Sequence, residues 1–286
     1  MRKTIAFLAA ACVAAGFGIR AAAQEPGADR PPKLLQIYVE EIKPGHGPAH
    51  EKVEAAWSHA FAQAKWPVHY TAMTSLTGVN VAWFITGYES FAALEKADQA
   101  MEKNPALQAT VSQMTQQDGE HLSGGRSIIA RLEESMSHVT PTSLAKARYF
   151  RVVRTAVRVG RGVEYREANK MLLAAFAKSG VKPGFAMFSV VGGYGGPTFL
   201  AITPFTSLAV LDDGPANGKA IRDAMGDEGY KAYVKLLTDS VAQTETLLFS
   251  VSSKMSYPPQ AWIDADPAFW KPAIPAPAAK AAPKKK

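Results

Sequence analysis

Only one cysteine, Cys12, occurs in the 286 residues, and it lies within an N-terminal leader pattern. Beyond that leader the chain has no thiol, which excludes both a disulfide framework and thiolate metal ligands. Histidine is missing from the second half: His46, His50, His59, His69, His121 and His138 all precede residue 139. Surplus charge is missing as well. The formal net charge is +7, but Arg2, Lys3 and Arg20 lie in the leader, and Lys271, Lys280, Lys284, Lys285 and Lys286 lie at the C-terminal end. Residues 24–270 therefore hold 24 basic and 25 acidic side chains, a net of −1. No basic stripe is left to neutralise phosphates, so nucleic acid is not an expected partner. There is no G-x-S-x-G, and the glycine run Gly192–Gly196 lacks the Lys-Ser/Thr and the helix start of a phosphate cradle.

The longest apolar run, Ile5–Gly18, follows the basic pair Arg2-Lys3 and ends before Ala21-Ala22-Ala23. It is too short to span a bilayer comfortably and has the shape of a secretory signal covering residues 1–23. The expected location is periplasmic or secreted, with no integral membrane segment in the mature chain. At the other end, 272–286 is a Pro/Ala/Lys segment that cannot bury apolar surface and is expected to be a disordered tail. Residues 258–271 carry Trp262, Phe269 and Trp270 among prolines and aspartates. They read as an irregular but ordered aromatic extension pinned across the body.

Between these ends the chain repeats itself. Val81–Leu94 and Thr198–Leu211 align without gaps and share five identities in fourteen positions. Around them, Lys43–Gly47 matches Arg158–Gly162, Phe61 matches Phe176, and Met136-Ser137 matches Met255-Ser256, the offset growing only from 115 to 117 to 119. A repeat present twice is a duplicated unit and not a solenoid. Each copy, 33–140 and 147–257, has the same order of patterns. In the first, Leu34–Ile42 alternates as a strand, and Val53, Ala56, Trp57, Ala60, Phe61 and Ala64 make a helical stripe. Two strands then flank Thr77–Asn80, and a helical stretch follows that restarts at Asn104-Pro105. A closing strand is expected from Ser127. The order β-α-β-β-α-β is a ferredoxin-like unit.

Two such units resemble the dimeric α+β-barrel superfamily. The first strand running into Lys43-Pro44-Gly45 and a Trp/Phe-bearing helix is similar to its NIPSNAP and antibiotic-biosynthesis-monooxygenase-like members. The resemblance covers roughly 33–257 and implies an α+β fold. Tandem ferredoxin-like units would close one barrel within a single chain, with helices outside. It also bears on cofactors. The chlorite dismutase-like members imply an axial histidine from the second repeat, which has none, and the haem-degrading members imply an Asn, a Trp and a second-helix His. His121 falls only at the end of that helix, so no haem or other cofactor is expected.

The expected site is the barrel interior. On the first strand, the face with Gln36, Tyr38 and Glu40 is too polar for a helix-covered core, so it is assigned inward, and Leu35, Ile37 and Val39 are assigned to the helices. Tyr38, Glu40, His69, Trp83 and Arg151 are then the candidate pocket residues, a few polar groups around an apolar wall. His46 and His50 are four apart, but Gly47-Pro48 puts His46 in a loop, and no carboxylate follows at zincin spacing. They read as a surface pair, and no metal is expected. The leading functional expectation is a small, partly apolar ligand held in the barrel. The competing class is a cofactor-free monooxygenase-like enzyme using His69, Tyr38 or Glu40 as proton acceptor or anchor, and catalytic residues are left open. A third is a non-catalytic envelope interaction module, and association of identical chains is compatible with all three.

Overall fold

The computed structural model describes residues 30–140 and 143–271, so the leader and lysine-tail readings fall outside the described residues. Strand β1 (Leu34–Ile42) follows the alternation of its sequence, and α1 (Gly47–Gln63) begins with Pro48 in its first turn, where a missing N–H costs nothing. Strands β2 (Tyr70–Ser75) and β3 (Val81–Tyr88) form a hairpin around Gly78, whose φ of 77° favours glycine. Ser90 caps α2 (Phe91–Glu102) by accepting from Ala93 N, and Asn104 caps α3 (Pro105–Gly119) by accepting from Leu107 N. Strand β4 (Leu122–Leu132) ends the first half.

The second half runs β5 (Tyr149–Val157), α4 (Gly162–Ser179), β6 (Ala186–Gly192), β7 (Thr198–Phe205), α5 (Gly214–Ser240) and β8 (Val241–Tyr257). Helix α5 is broken at Gly226, where φ is 69° and ψ 166°. Residues 258–271 differ from the irregular segment expected: they form two short helices, α6 (Gln260–Ala265), preceded by Pro259 at its N-cap, and α7 (Pro267–Trp270), with Pro267 in its first turn.

All eight strands join one closed barrel in the order β1-β3-β2-β8-β5-β7-β6-β4, with β4 returning to β1. The fold is thus a mixed α+β barrel. Every pairing is antiparallel, and the halves meet at two seams, β2 with β8 and β4 with β6. Strand β4 starts five residues before the expected Ser127 and runs through Gly124-Gly125. A Cβ on Gly125 would lie 2.9 Å from the Val39 carbonyl of β1, so the glycine allows the two backbones to approach.

The barrel interior corrects the face assignment made from sequence. Leu35, Ile37 and Val39 point inward and pack with Trp83, Ile128, Val152, Phe188, Leu200 and Phe249 from both halves. Gln36, Tyr38 and Glu40 lie on the outer face. An eight-stranded barrel is just wide enough for side chains to fill it, so its bore takes the apolar face and leaves little room for charges. The helices cover the outside, α1 lying against β8 and α3, and α4 against α5. No described helix is long and apolar enough to cross a membrane.

Candidate functional site

The five expected pocket residues do not share a cavity. Tyr38 is exposed on the outer face of β1, where its hydroxyl accepts from Gln36 Nε2 at 2.9 Å. Trp83 is buried in the barrel bore, its ring 5.1 Å from that of Phe249. Arg151 lines a cavity of about 620 Å³ beneath α4 and α5, together with Tyr165, Asn169 and Tyr233. Burial holds its guanidinium below the usual range, and its Nε has no partner. His69 and Glu40 occupy two further places, each with an arrangement of its own.

His69 lines a cavity of about 320 Å³ at one mouth of the barrel. The floor is built from both halves, with Leu35 and Ile85 from β1 and β3 and Phe150, Phe188 and Ile202 from β5, β6 and β7. Pro32 and the connection through Ser143–Ala145 form one side, and Pro259, Ala261 and Trp262 of the C-terminal extension form the roof. The roof is tied down where Trp270 Nε1 donates to the Ala145 carbonyl at 2.9 Å and where Arg148 pairs with Asp266. His69 stacks near Tyr257, with ring centroids 4.6 Å apart, and its Nδ1 is buried without a partner. Burial pushes the imidazole below its ordinary value, partly offset by a hydrogen bond with the Tyr257 main chain. A neutral ring beside an apolar cavity can orient a polar end of a ligand or accept a proton from it.

Glu40 ends up between the barrel and its helices, and there the sequence reading missed a constellation. The outer face of β1 sets Glu40 beneath α1, which supplies His50 and Glu54 on the same face one turn apart, and α3 supplies Asp118. One ligand-capable atom from each of the four residues lies within 4.8 Å of the others. His50 is 1% exposed, so it is not the surface partner of His46 inferred from spacing. Its Nδ1 lies 2.9 Å from Asp118 Oδ1, and its Nε2 lies 3.8 Å from Glu40 Oε2. Glu40 Oε2, His50 Nε2 and Asp118 Oδ2 are buried without hydrogen-bond partners.

Electrostatics in this cluster follow from crowding carboxylates away from water. Desolvation, with the charge of Asp118 adding to it, pushes the Glu40 carboxyl up to about 7. Desolvation, with Glu40 and Asp118 nearby, pushes Glu54 up to about 9. Tyr70, whose buried hydroxyl also lacks a partner, is raised by burial and by the same two glutamates. One turn away, the His46 and His121 Nδ1 atoms lie 3.1 Å apart, a second rung between α1 and the end of α3. A local signal for the cluster existed: His50 and Glu54 sit four apart beside the apolar stripe of α1. Asp118, 68 residues from His50 and on another helix, could come only from the fold.

The barrel is similar to that of solved structures. A crystal structure of an anthrone oxidase-like protein matches 78% of this chain and 93% of its own, with a TM-score of 0.50 and 15% identity. A provisionally assigned monooxygenase from Lactobacillus acidophilus NCFM matches 76% of this chain and 93% of its own, with a TM-score of 0.45 and 10% identity. A variant chlorite dismutase from Candidatus Nitrospira defluvii, in complex with cyanide, matches 82% and 95%, with a TM-score of 0.47 and 11% identity. No family model matches this chain, and no curated protein matches it. At 15% identity, the likeness to the anthrone oxidase-like protein establishes the fold alone.

Proposed function

We propose that this is an exported protein that binds a small, partly apolar molecule at the roofed mouth of its barrel. The observation that carries the reading is the cavity of about 320 Å³, floored by apolar side chains from both halves and closed by the C-terminal extension. Its size is at the lower end of the range of about 300–1,000 Å³ for small-molecule pockets. The lining chemistry matches that class: Ile85, Phe150, Phe188 and Trp262 offer apolar walls, and His69 and Thr71 offer polar contacts. The strand order supports the two-unit reading, because β4-β1-β3-β2 and β8-β5-β7-β6 are successive arcs of the barrel with the same internal order. The leader pattern in residues 1–23 supports export, and cell fractionation of the full-length chain tests it.

Native mass spectrometry of the exported chain, set against its denatured mass, tests the binding reading. A small mass excess that is lost on denaturation, and lost in an Ala261→Trp variant that fills the mouth, is the expected result. Equal native and denatured masses, together with no uptake of an apolar fluorescent probe, would remove the reading. A second reading, a cofactor-free enzyme of the monooxygenase-like kind, is favoured by one observation: His69 is kept neutral by burial in the wall of the same cavity. Under it, His69→Gln abolishes turnover of a bound substrate and leaves its binding intact. A variant that turns over as fast as the parent would exclude His69 as the base.

A further inference from the structure

None of the four residues of the buried cluster beneath α1 lines the ligand cavity. We infer that it is a binding site for one divalent first-row transition-metal ion, held by the carboxylates of Glu40 and Glu54 and by His50 Nε2, with Asp118 positioning the imidazole.

The tautomer follows from the geometry. A carboxylate can only accept, so the contact of 2.9 Å between His50 Nδ1 and Asp118 Oδ1 places the ring proton on Nδ1. Nε2 is then the lone-pair side, and it faces Glu40 Oε2 at 3.8 Å with no proton donor between them. With Glu40 ionised, two electron-rich atoms buried face to face are stabilised by a cation shared between them. Donors that each sit about 2.0–2.2 Å from one ion lie about 3–4 Å apart, which this separation fits. A carboxylate that accepts from the far nitrogen of a metal-bound histidine is the common support for such a ligand, and Asp118 occupies that place. A dication then offsets Glu40 and Glu54, and the third carboxylate is met by the imidazole N–H.

The architecture does not require these charges. Thr155 is the seventh residue of β5, as Glu40 is of β1, and Tyr165 and Asn169 hold the places in α4 that His50 and Glu54 hold in α1. All three are buried and neutral, so the corresponding positions of the second half carry no charge. The donor set selects the class of ion. One imidazole with two carboxylates suits manganese, iron or zinc, and the absence of thiolate disfavours the softest ions.

The test uses the full chain, stripped with a chelator and then given MnCl₂ or ZnCl₂ alone. Elemental analysis after gel filtration is expected to find about one ion per chain, with a raised Tm. The Glu40→Gln/Glu54→Gln pair should bind at least about 100-fold more weakly, and Asp118→Asn should weaken affinity by about 10–100-fold without changing the stoichiometry. Circular dichroism shows whether these near-isosteric variants fold. Nitrogen-15 histidine NMR of the parent chain provides a measurement independent of them, since Zn²⁺ should shift His50 Nε2. The inference is overturned if the parent retains neither ion, or if His50 Nε2 does not respond. It is also overturned if the retained ion tolerates the double substitution but is lost on His46→Asn/His121→Asn, because the ion would then sit on the neighbouring histidine pair.

Discussion

At the scale of single residues, position relative to the barrel wall decides what each side chain does. Trp83 fills the bore, where packing is dense and no water can take its place. Trp83→Ala should therefore cost about 3–5 kcal/mol in urea unfolding, the range for removing a large buried aromatic side chain. A loss under about 1 kcal/mol would mean that the bore is loosely packed. His69 gives a pH signature. Its folded pKa is depressed by burial below the ordinary histidine value of about 6.5, so the native state favours the neutral ring. As pH falls below the unfolded value, the unfolded chain takes up a proton first. The His69 contribution is thus complete above about 6.5 and is lost as pH falls from there toward the folded pKa. Comparing the parent and His69→Gln at pH 7.5 and pH 5 isolates it: the variant should lose less stability over that interval. Equal losses would show that His69 titrates as it does in the unfolded chain. Of the residues picked from sequence, His69 lines the ligand cavity and Glu40 belongs to the buried cluster. Trp83 lies in the barrel interior as expected, whereas Tyr38 and Glu40 were assigned inward because polarity was taken to mark the inside of the barrel.

At the scale of elements, local chemistry was the legible part. The alternation in Leu34–Ile42, the Asn104-Pro105 restart and the glycines of the hairpins identify strands, caps and turns, because those signals are complete within a few residues. What sequence could not give was the face of β1. The alternation tells which residues share a side but not which side is the bore, and that depends on strands whose paired residues are 40 or more positions away. The start of β4 was missed for a related reason: strands lengthen where a neighbour offers unpaired backbone, whatever their own propensity. Gly193 illustrates how tightly the second seam is built. It follows β6 with φ of 106°, and a Cβ there would sit 2.3 Å from the Ser127 carbonyl and 2.9 Å from Ile128 Cα of β4. Gly193→Ala combines left-handed backbone strain with a clash against backbone, so it should cost about 1–3 kcal/mol and loosen the β4–β6 seam first. Hydrogen exchange accelerated in 186–192 before the β2–β8 seam is the expected pattern. Uniform acceleration around the barrel would mean that the seams do not open separately.

At the scale of the whole molecule, the C-terminal extension joins the pocket to the linkage between the halves. The connection from β4 to β5 passes over the barrel mouth, and the extension crosses it. Trp270 donates to Ala145, Arg148 pairs with Asp266, and the Arg148 guanidinium lies 3.8 Å from the centroid of the Phe269 ring. The ring of Trp262, 5.7 Å from that of Trp270, is thereby held over the apolar floor. All eight strands are complete at Tyr257, so a chain ending there keeps every strand pairing of the barrel and loses only its roof. That truncation should leave the far-ultraviolet spectrum nearly unchanged apart from two short helices, raise the fluorescence of an apolar probe, and abolish any mass excess seen by native spectrometry. Trp270→Phe is the milder version. It removes one N–H from a buried carbonyl and should cost about 1 kcal/mol, with a smaller rise in probe binding. If the truncated chain binds the probe no better than the parent and keeps its ligand, the extension is not a roof. The mouth would then have to be closed by the connection alone, and Ser143–Ala145 would be the segment to alter next.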